Sequence, residues 1–460
     1  MNGLTRRVVV ALALAASGAV TGCSLALEWN ECSAAKACPG GFTCDGGECV
    51  ADTVAPTLEV RGTIDRDTTW TKDNVYLLKE VIFVAPGARL TIKAGTRVLG
   101  EQASALVVRD GGFLDARGTL LEPVVFTSAQ PVGQRAPADW GGVVLLGHAP
   151  VNQPDASFEA IEDPLLGRFG GDDVTWACGA IQFARIEFAG HPILADKEYN
   201  GLTLGGCGSE TLIDHVQIHL SADDGVQIYG GTVGIKHIVM TQVQKDGLDW
   251  ENGWRGTAQY IVIQQGEQEE NAFESVNNDD DPNAMPRSEP TIYNFTLIGS
   301  GGEGGNQCGL WLESGAGGHF VNGIVIGQSQ HAIDIVGAET AALLQAGVLE
   351  ITHSAFYDVG VGGVDFLPKV TEEVADEEDD GNFDEDQWFR KVDYGNVFGT
   401  DPHLPDPHNL VTPSWVPPAN TLPGVARRPP ITLDQKGEYL GAFEPGAAAW
   451  SDGWTAFPAN

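Results

Sequence analysis

A five-residue phrase, polar–Gly–apolar–any–apolar, returns along the middle of the chain. It stands at Asn200-Gly201-Leu202-Thr203-Leu204, at Asp224-Gly225-Val226-Gln227-Ile228 and at Asp246-Gly247-Leu248-Asp249-Trp250. Looser copies follow at 271–275, 308–312 and 331–335. The opening residues 200, 224, 246, 271, 308 and 331 are 24, 22, 25, 37 and 23 positions apart. The long step holds an inserted loop around 279–281. A period in the twenties predicts stacked repeats, each contacting its neighbours.

A second phrase keeps step with the first. It reads Ile213-Asp214-His215-Val216-Gln217-Ile218, then Ile235-Lys236-His237-Ile238-Val239-Met240, and returns at 258–263, 292–297 and 321–326, with an earlier copy at 183–188. Apolar residues alternate within both phrases, so one set of side chains faces inward and the other outward. Each coil is therefore expected to carry at least two short strands. The Leu/Asn signature of leucine-rich repeats is missing, and so is the 3.6-residue stripe of helical repeats. The predicted fold is all-β, a right-handed parallel β-helix. Its 59 Gly and 25 Pro suit many turns.

Stacking turns equivalent positions into columns about 4.8 Å apart. One column opens the first phrase: Asn200, Asp224, Asp246, Asn271. Asn and Asp at a repeated turn are expected chiefly to bond backbone groups. The other is the central outward position: Thr203, Gln227, Asp249, Glu274, Trp311, Asp334. There Asp249 and Glu274 become neighbours, and two close carboxylates hold a proton or share a cation. With Asp223, Asp224 and Asp246 they form the candidate catalytic set, at a spacing compatible with retaining glycoside hydrolysis. Asp246, Asp249 and Glu274 are the candidate calcium ligands. Trp311 and Asp334 are candidate ligand-binding residues, since an indole face can stack on a sugar ring. A solvated acidic face is the simpler alternative. His215 and His237 form a third column, read as stacked polar residues or a metal pair.

The N-terminus carries an address. Arg6-Arg7 precedes an apolar run at 8–16 and then Val20-Thr21-Gly22-Cys23, the pattern of a signal peptide. It resembles the bacterial lipoprotein lipobox, which implies lipidation of Cys23 and membrane anchoring. Ser24 stands where an inner-membrane retention signal would have Asp, so an outer-membrane lipoprotein is expected. Cys32, Cys38, Cys44 and Cys49 follow; in an exported chain they suggest two disulfides of open pairing, with a zinc knuckle as the alternative. Cys178 and Cys207 flank about one coil and could staple neighbours. Cys308 is expected as a buried thiol.

The net charge is −37, and loss of Arg6 and Arg7 with the signal takes it to −39. Such a field disfavours nucleic acid and anionic lipid head groups. Acidic polysaccharide would need bridging calcium. Much of the charge is local, in an acidic run at 372–386 read as a solvated insertion or a calcium-ordered loop.

The expected organisation is a signal peptide (1–22), a lipid tether with a Cys module (23–52), the β-helix (53–366), the acidic insertion (367–390), and a Pro-rich segment with an aromatic cap (391–460). The aromatic segment 439–457 is read as covering exposed coil ends. A monomer is expected.

Several segments carry a family likeness: Thr69-Trp70-Thr71-Lys72, Leu90-Thr91-Ile92-Lys93-Ala94-Gly95-Thr96, Asp139-Trp140-Gly141-Gly142, Arg185-Ile186-Glu187-Phe188-Ala189-Gly190 and Gly441-Ala442-Phe443. With the repeat phrases they resemble secreted bacterial β-helix lipoproteins of the pectate-lyase-like superfamily. The resemblance implies fold and export rather than an activity. Asp214-His215 followed by Asp246 and Asp249 is similar to calcium-dependent pectate lyases, although the second ligand is one residue short and the catalytic Arg has no clear counterpart. Asp223-Asp224 matches the first element of polygalacturonase-like hydrolases, whose later His-Gly and Arg-x-Lys are missing. The expected function is binding of an extended ligand such as a glycan, with a polysaccharide lyase or hydrolase as the alternative.

Overall fold

The computed structural model describes residues 42–45, 48–51, 55–194, 197–267, 269–301, 307–364, 366–368, 380 and 383–460. The signal peptide, Cys23, Cys32 and Cys38 lie outside the described residues, as does most of the acidic run. A short antiparallel hairpin, Phe42–Asp45 with Glu48–Ala51, sets Cys44 opposite Cys49 in register; their side chains are outside the description.

From Thr57 onward the chain is a parallel β-helix. Its pairings make a 10-stranded and a 17-stranded sheet. The first phrase supplies the 10-stranded sheet, through Leu202–Gly205, Val226–Tyr229, Leu248–Glu251, Phe273–Val276, Leu310–Glu313 and Ile333–Ile335. The second phrase supplies the larger sheet, through Gly179–Glu187, Leu212–His219, Gly234–Thr241, Thr257–Gln264 and Thr291–Ile298.

Each of these long strands is two strands joined at a single left-handed residue. Phe183, His215, His237, Tyr260 and Asn294 have φ between 46° and 62°, and the ladder skips each of them. Asn322 and His353 continue the line at φ 62° and 53°. A middle coil therefore has three faces, one more than the minimum read from sequence. Only one residue makes the bend, so its side chain is thrown outward.

Register explains the core. Ile213, Ile235, Ala258, Ile292, Phe320 and Ile351 stack in one inward column. Ile218, Met240, Ile263, Leu297 and Val325 stack in another. All are 2% exposed or less, and burying each of them but Ala258 contributes about 1.5–3 kcal/mol as an upper estimate. Cys178 and Cys207 form a disulfide between consecutive coils, with Cα atoms 5.6 Å apart. Cys308 is buried and its Sγ donates to Gln330 Oε1 at 3.5 Å.

The C-terminal segment departs from its expected place. It does not close a coil end; it runs along the outer flank of the 17-stranded sheet. Outward Val239, Val262, Ile298, Ile324 and Ala355 pack against Leu404, Trp415, Leu440, Phe443 and Trp454. Amides along the flank hold the tail's backbone. Gln217 Nε2 donates to Ala456 O, Gln259 Nε2 to Asp434 O, Gln264 Nε2 to Pro407 O, and Asn294 Nδ2 to Tyr439 O. An apolar flank on these coils would otherwise face water, and that is the physical reason for the relocation. The far end is instead packed by Phe366, Phe383 and Phe389 in the main core, with Phe398 against them. Phe389 ends a short helix, Glu385–Phe389, whose N-cap Asp384 accepts from Gln387 N. The last residues of the acidic run thus fold back onto the solenoid.

Candidate functional site

The outer face of the 10-stranded sheet changes character along one column. Phe83, Val107, Val144, Thr203, Gln227, Asp249, Glu274, Trp311 and Asp334 are consecutive partners in register. The apolar start is covered: Val107 and Val144 pack beneath Phe158, Ile161, Phe169 and Tyr199. Beyond that cover the column becomes acidic, and it ends on the half-buried Trp311 and Asp334.

The opening column is also continuous. Asp224 Oδ1 accepts from the backbone N–H of Asp246 at 3.1 Å, and Asp246 Oδ1 from that of Asn271 at 2.7 Å. Asn200 Nδ2 donates to Thr203 Oγ1 at 3.2 Å. One oxygen of each aspartate therefore stitches coils together. Asp249 Oδ1 is buried without an aligned hydrogen-bond partner, and Asp246 is hydrogen-bonded to Glu274 within the recess. Asp224, Asp246 and Asp249 are 2%, 0% and 8% exposed, so these are desolvated carboxylates rather than a solvated face.

Burial and crowding favour the protonated acids. Burial pushes Asp223 up to about 6, against the pull of Lys245, with Glu198 adding to the rise. Burial, then Asp223, raises Asp224. Burial, then the Glu274 carboxylate beside them, raises both Asp246 and Asp249. Glu251 is driven up to about 8 by burial, with Asp279 and Glu159 contributing. Lys245 is the cation of the recess: its Nζ lies 3.8 Å from Asp223 Oδ1 and 3.9 Å from Asp224 Oδ1. Asp224 foremost holds that lysine charged.

Asp223, Asp224, Asp246, Asp249 and Glu274 are thus brought together, with Trp311 and Asp334 further along the same face. Lys245 and Glu251 belong to the recess and were missed in the sequence. They flank the repeat phrase on either side, at positions where its pattern is silent. Asp214 and His215 are not brought there. They sit at the bend of the 17-stranded sheet, where His215 meets Trp450 and Trp454 edge-on. The likeness to the pectate lyase Asp-His pair therefore does not extend to one shared site, because the two phrases occupy different faces of the coil.

Oxygen donors across a calcium ion are about 5 Å apart at most, given bonds of 2.3–2.6 Å. Among the described residues, Asp246, Asp249 and Glu274 do not gather three ligand atoms within 4.8 Å of one another. The trio therefore does not fit a ready calcium cage, and a lysine already stands among these acids.

A family model described as a pectate-lyase-like β-helix domain matches residues 62–389. The chain belongs to that family, and the match ends on the helix that packs the far end of the core. Neither the curated proteins nor the solved structures give a match. Among the described residues no helix is long and apolar enough to cross a membrane. Membership fits a carbohydrate-related role.

Proposed function

We propose that this protein binds an extended glycan along the outer face of its 10-stranded sheet. The observation that carries the reading is the unbroken column Gln227–Asp249–Glu274–Trp311–Asp334. At one strand spacing per step it extends about 19 Å, long enough for several sugar units. The half-buried Glu274 and Asp334 carboxylates accept from hydroxyls, and the Trp311 indole offers a face for a pyranose ring. The balance of charge favours neutral over anionic chains. An N-terminal lipid at Cys23 would hold this face close to an envelope surface.

The test is titration of the purified protein with neutral and acidic oligosaccharides, followed by tryptophan fluorescence and calorimetry. Saturable binding that Trp311→Ala weakens about tenfold supports the reading. No binding across the panel, or affinity indifferent to Trp311→Ala and Glu274→Gln, overturns it.

One observation favours a second reading, glycan cleavage. Asp249 and Glu274 are register partners, and burial holds a proton on Asp249 where a general acid needs one. New reducing ends or unsaturated products, abolished in Asp249→Asn, would convert the binding face into an active site.

A further inference from the structure

A second cluster lies on another face, at the bend line. His215 and His237 occupy equivalent left-handed positions on consecutive coils, at φ 56° and 52°. Their rings stack with centroids 4.2 Å apart. Asp214 stands just before the bend, and its Oδ1 is 2.9 Å from His215 Nδ1 and 2.8 Å from His237 Nδ1. The three ligand atoms all lie within 4.8 Å of one another.

The surroundings isolate the cluster. The side chains of Asp214, His215 and His237 are 21%, 17% and 17% exposed. Phe183 stacks on His215 at 4.4 Å and Tyr260 on His237 at 4.9 Å. From the tail, Trp450 meets His237 and Trp454 meets His215 edge to face, with ring centroids 5.0 and 5.7 Å apart. Gln182 Nε2 donates to Asp214 Oδ2 at 3.3 Å and so orients the carboxylate. The nearby cation is engaged elsewhere, with Lys236 Nζ 3.7 Å from Asp434 Oδ2.

Hydrogen bonding alone leaves one atom unexplained. His237 Nδ1 is bonded to Asp214 Oδ1. His215 Nδ1 comes within 2.9 Å of the same oxygen, yet it is buried and not aligned for a hydrogen bond. A proton there is wasted, and a buried donor without its bond is costly. A lone pair there is a ligand.

We propose that Asp214, His215 and His237 bind one divalent transition-metal ion of the zinc class, through the carboxylate and both Nδ1 atoms. Two imidazoles and a carboxylate suit zinc, copper or nickel rather than calcium. Bonds of 2.0–2.2 Å require ligand atoms about 3.3 Å apart in a tetrahedron, so the Asp–His contacts open by a few tenths of an ångström. The stacked rings also turn about χ2, because parallel imidazoles have parallel lone pairs. Each neutral imidazole carries its single proton on Nε2 when Nδ1 gives its lone pair to the ion, so His237 changes tautomer and no net proton leaves. A fourth position faces the tail and takes water or a small anion. The ion would clamp two coils beneath Trp450 and Trp454.

The experiment is zinc titration of the full chain after chelation, with thermal melts in zinc and in EDTA. His237→Phe is the informative variant. Phe183 and Tyr260 occupy the same column, so a phenyl ring fits and keeps the stack while removing a ligand. One zinc per chain is expected, with a higher melting temperature in zinc. His237→Phe should melt at the same temperature in zinc as in EDTA and bind zinc at least about 100-fold more weakly, since even outer partners of a metal site are worth 10–100-fold. No zinc binding by the native chain overturns the proposal. So does native-like binding by His237→Phe, which would place the ion elsewhere, such as the acidic recess; Asp249→Asn would then report that move. Glycan binding plays no part in either outcome.

Discussion

Asp224 reaches across one coil to the backbone of Asp246, 22 residues on, and Asp246 repeats the reach to Asn271. A buried side-chain oxygen here replaces what water would give an exposed turn. Removing it leaves a buried N–H without its partner, at about 1–3 kcal/mol. Asp246→Ala should therefore lower stability by that amount. Asp246→Asn keeps an accepting oxygen and removes an acid that burial already opposes, so it should be neutral or better. Urea midpoints of the two variants check this. Equal losses would show that charge, not the accepted bond, is what matters.

The recess makes stability depend on pH. Asp223 rises from 3.8 to about 6 and Glu251 from 4.5 to about 8 in the folded protein. A raised carboxylate binds its proton more tightly when folded. Its contribution is therefore full below the unfolded value and is lost as pH climbs through the folded value. Melting temperature should fall from about pH 4 to about pH 8. Asp223→Asn with Glu251→Gln should flatten that fall. Asp214 is the opposite case. Burial opposes its charge, but the His215 and His237 imidazoles against its Oδ1 win and lower it. Its contribution is present above 3.8 and is lost as pH drops further. Melts across pH 2–9 separate the two.

The disulfide ties coils whose cysteines are 29 residues apart. A loop of that size is worth about 3.6 kcal/mol in the chain-entropy view, with enthalpic effects able to change it. Reduction, or Cys178→Ser with Cys207→Ser, should lower the melting temperature without changing the circular dichroism of the folded protein. An unchanged melt would show that stacking alone fixes this junction.

The tail is part of the fold. Trp454 is fully buried against the flank and its indole N–H donates to Trp450 O at 2.9 Å. Trp454→Ala should cost about 3–5 kcal/mol and increase dye binding to exposed apolar surface. Protection of flank amides at Val239 and Val262, followed by hydrogen exchange, should fall in the same variant. If exchange stays local to 450–458, the tail is a passenger on an independently stable solenoid.

Stacking was legible because a period-two strand inside a period in the twenties admits few other packings. From it the column Gln227–Asp249–Glu274–Trp311–Asp334 could be written down before any coordinates. The bend was not legible. Phe, His and Tyr at positive φ carry no glycine signal, and their alternation resembles one continuous strand. The course of the tail was hidden for a related reason. Gln217, Gln259 and Gln264 read as ordinary outward polar residues, although amides recurring on one flank are what a docked backbone needs. Asp214 was grouped with Asp246 by order along the chain, whereas face, not order, decides which residues meet. Lys245 and Glu251 escaped because a pattern defined by its five core letters says nothing of the letters beside it.

The bend line also bears on how this chain can change over time. Every coil there turns one side chain away from the interior, and the sequence has filled the slots with Phe, His, His, Tyr, Asn, Asn and His. A substitution in such a slot leaves the inward columns alone but answers to the segment lying over it, as Asn294 and Asn322 do by holding the Gly437 carbonyl, so this edge and the tail can change only together.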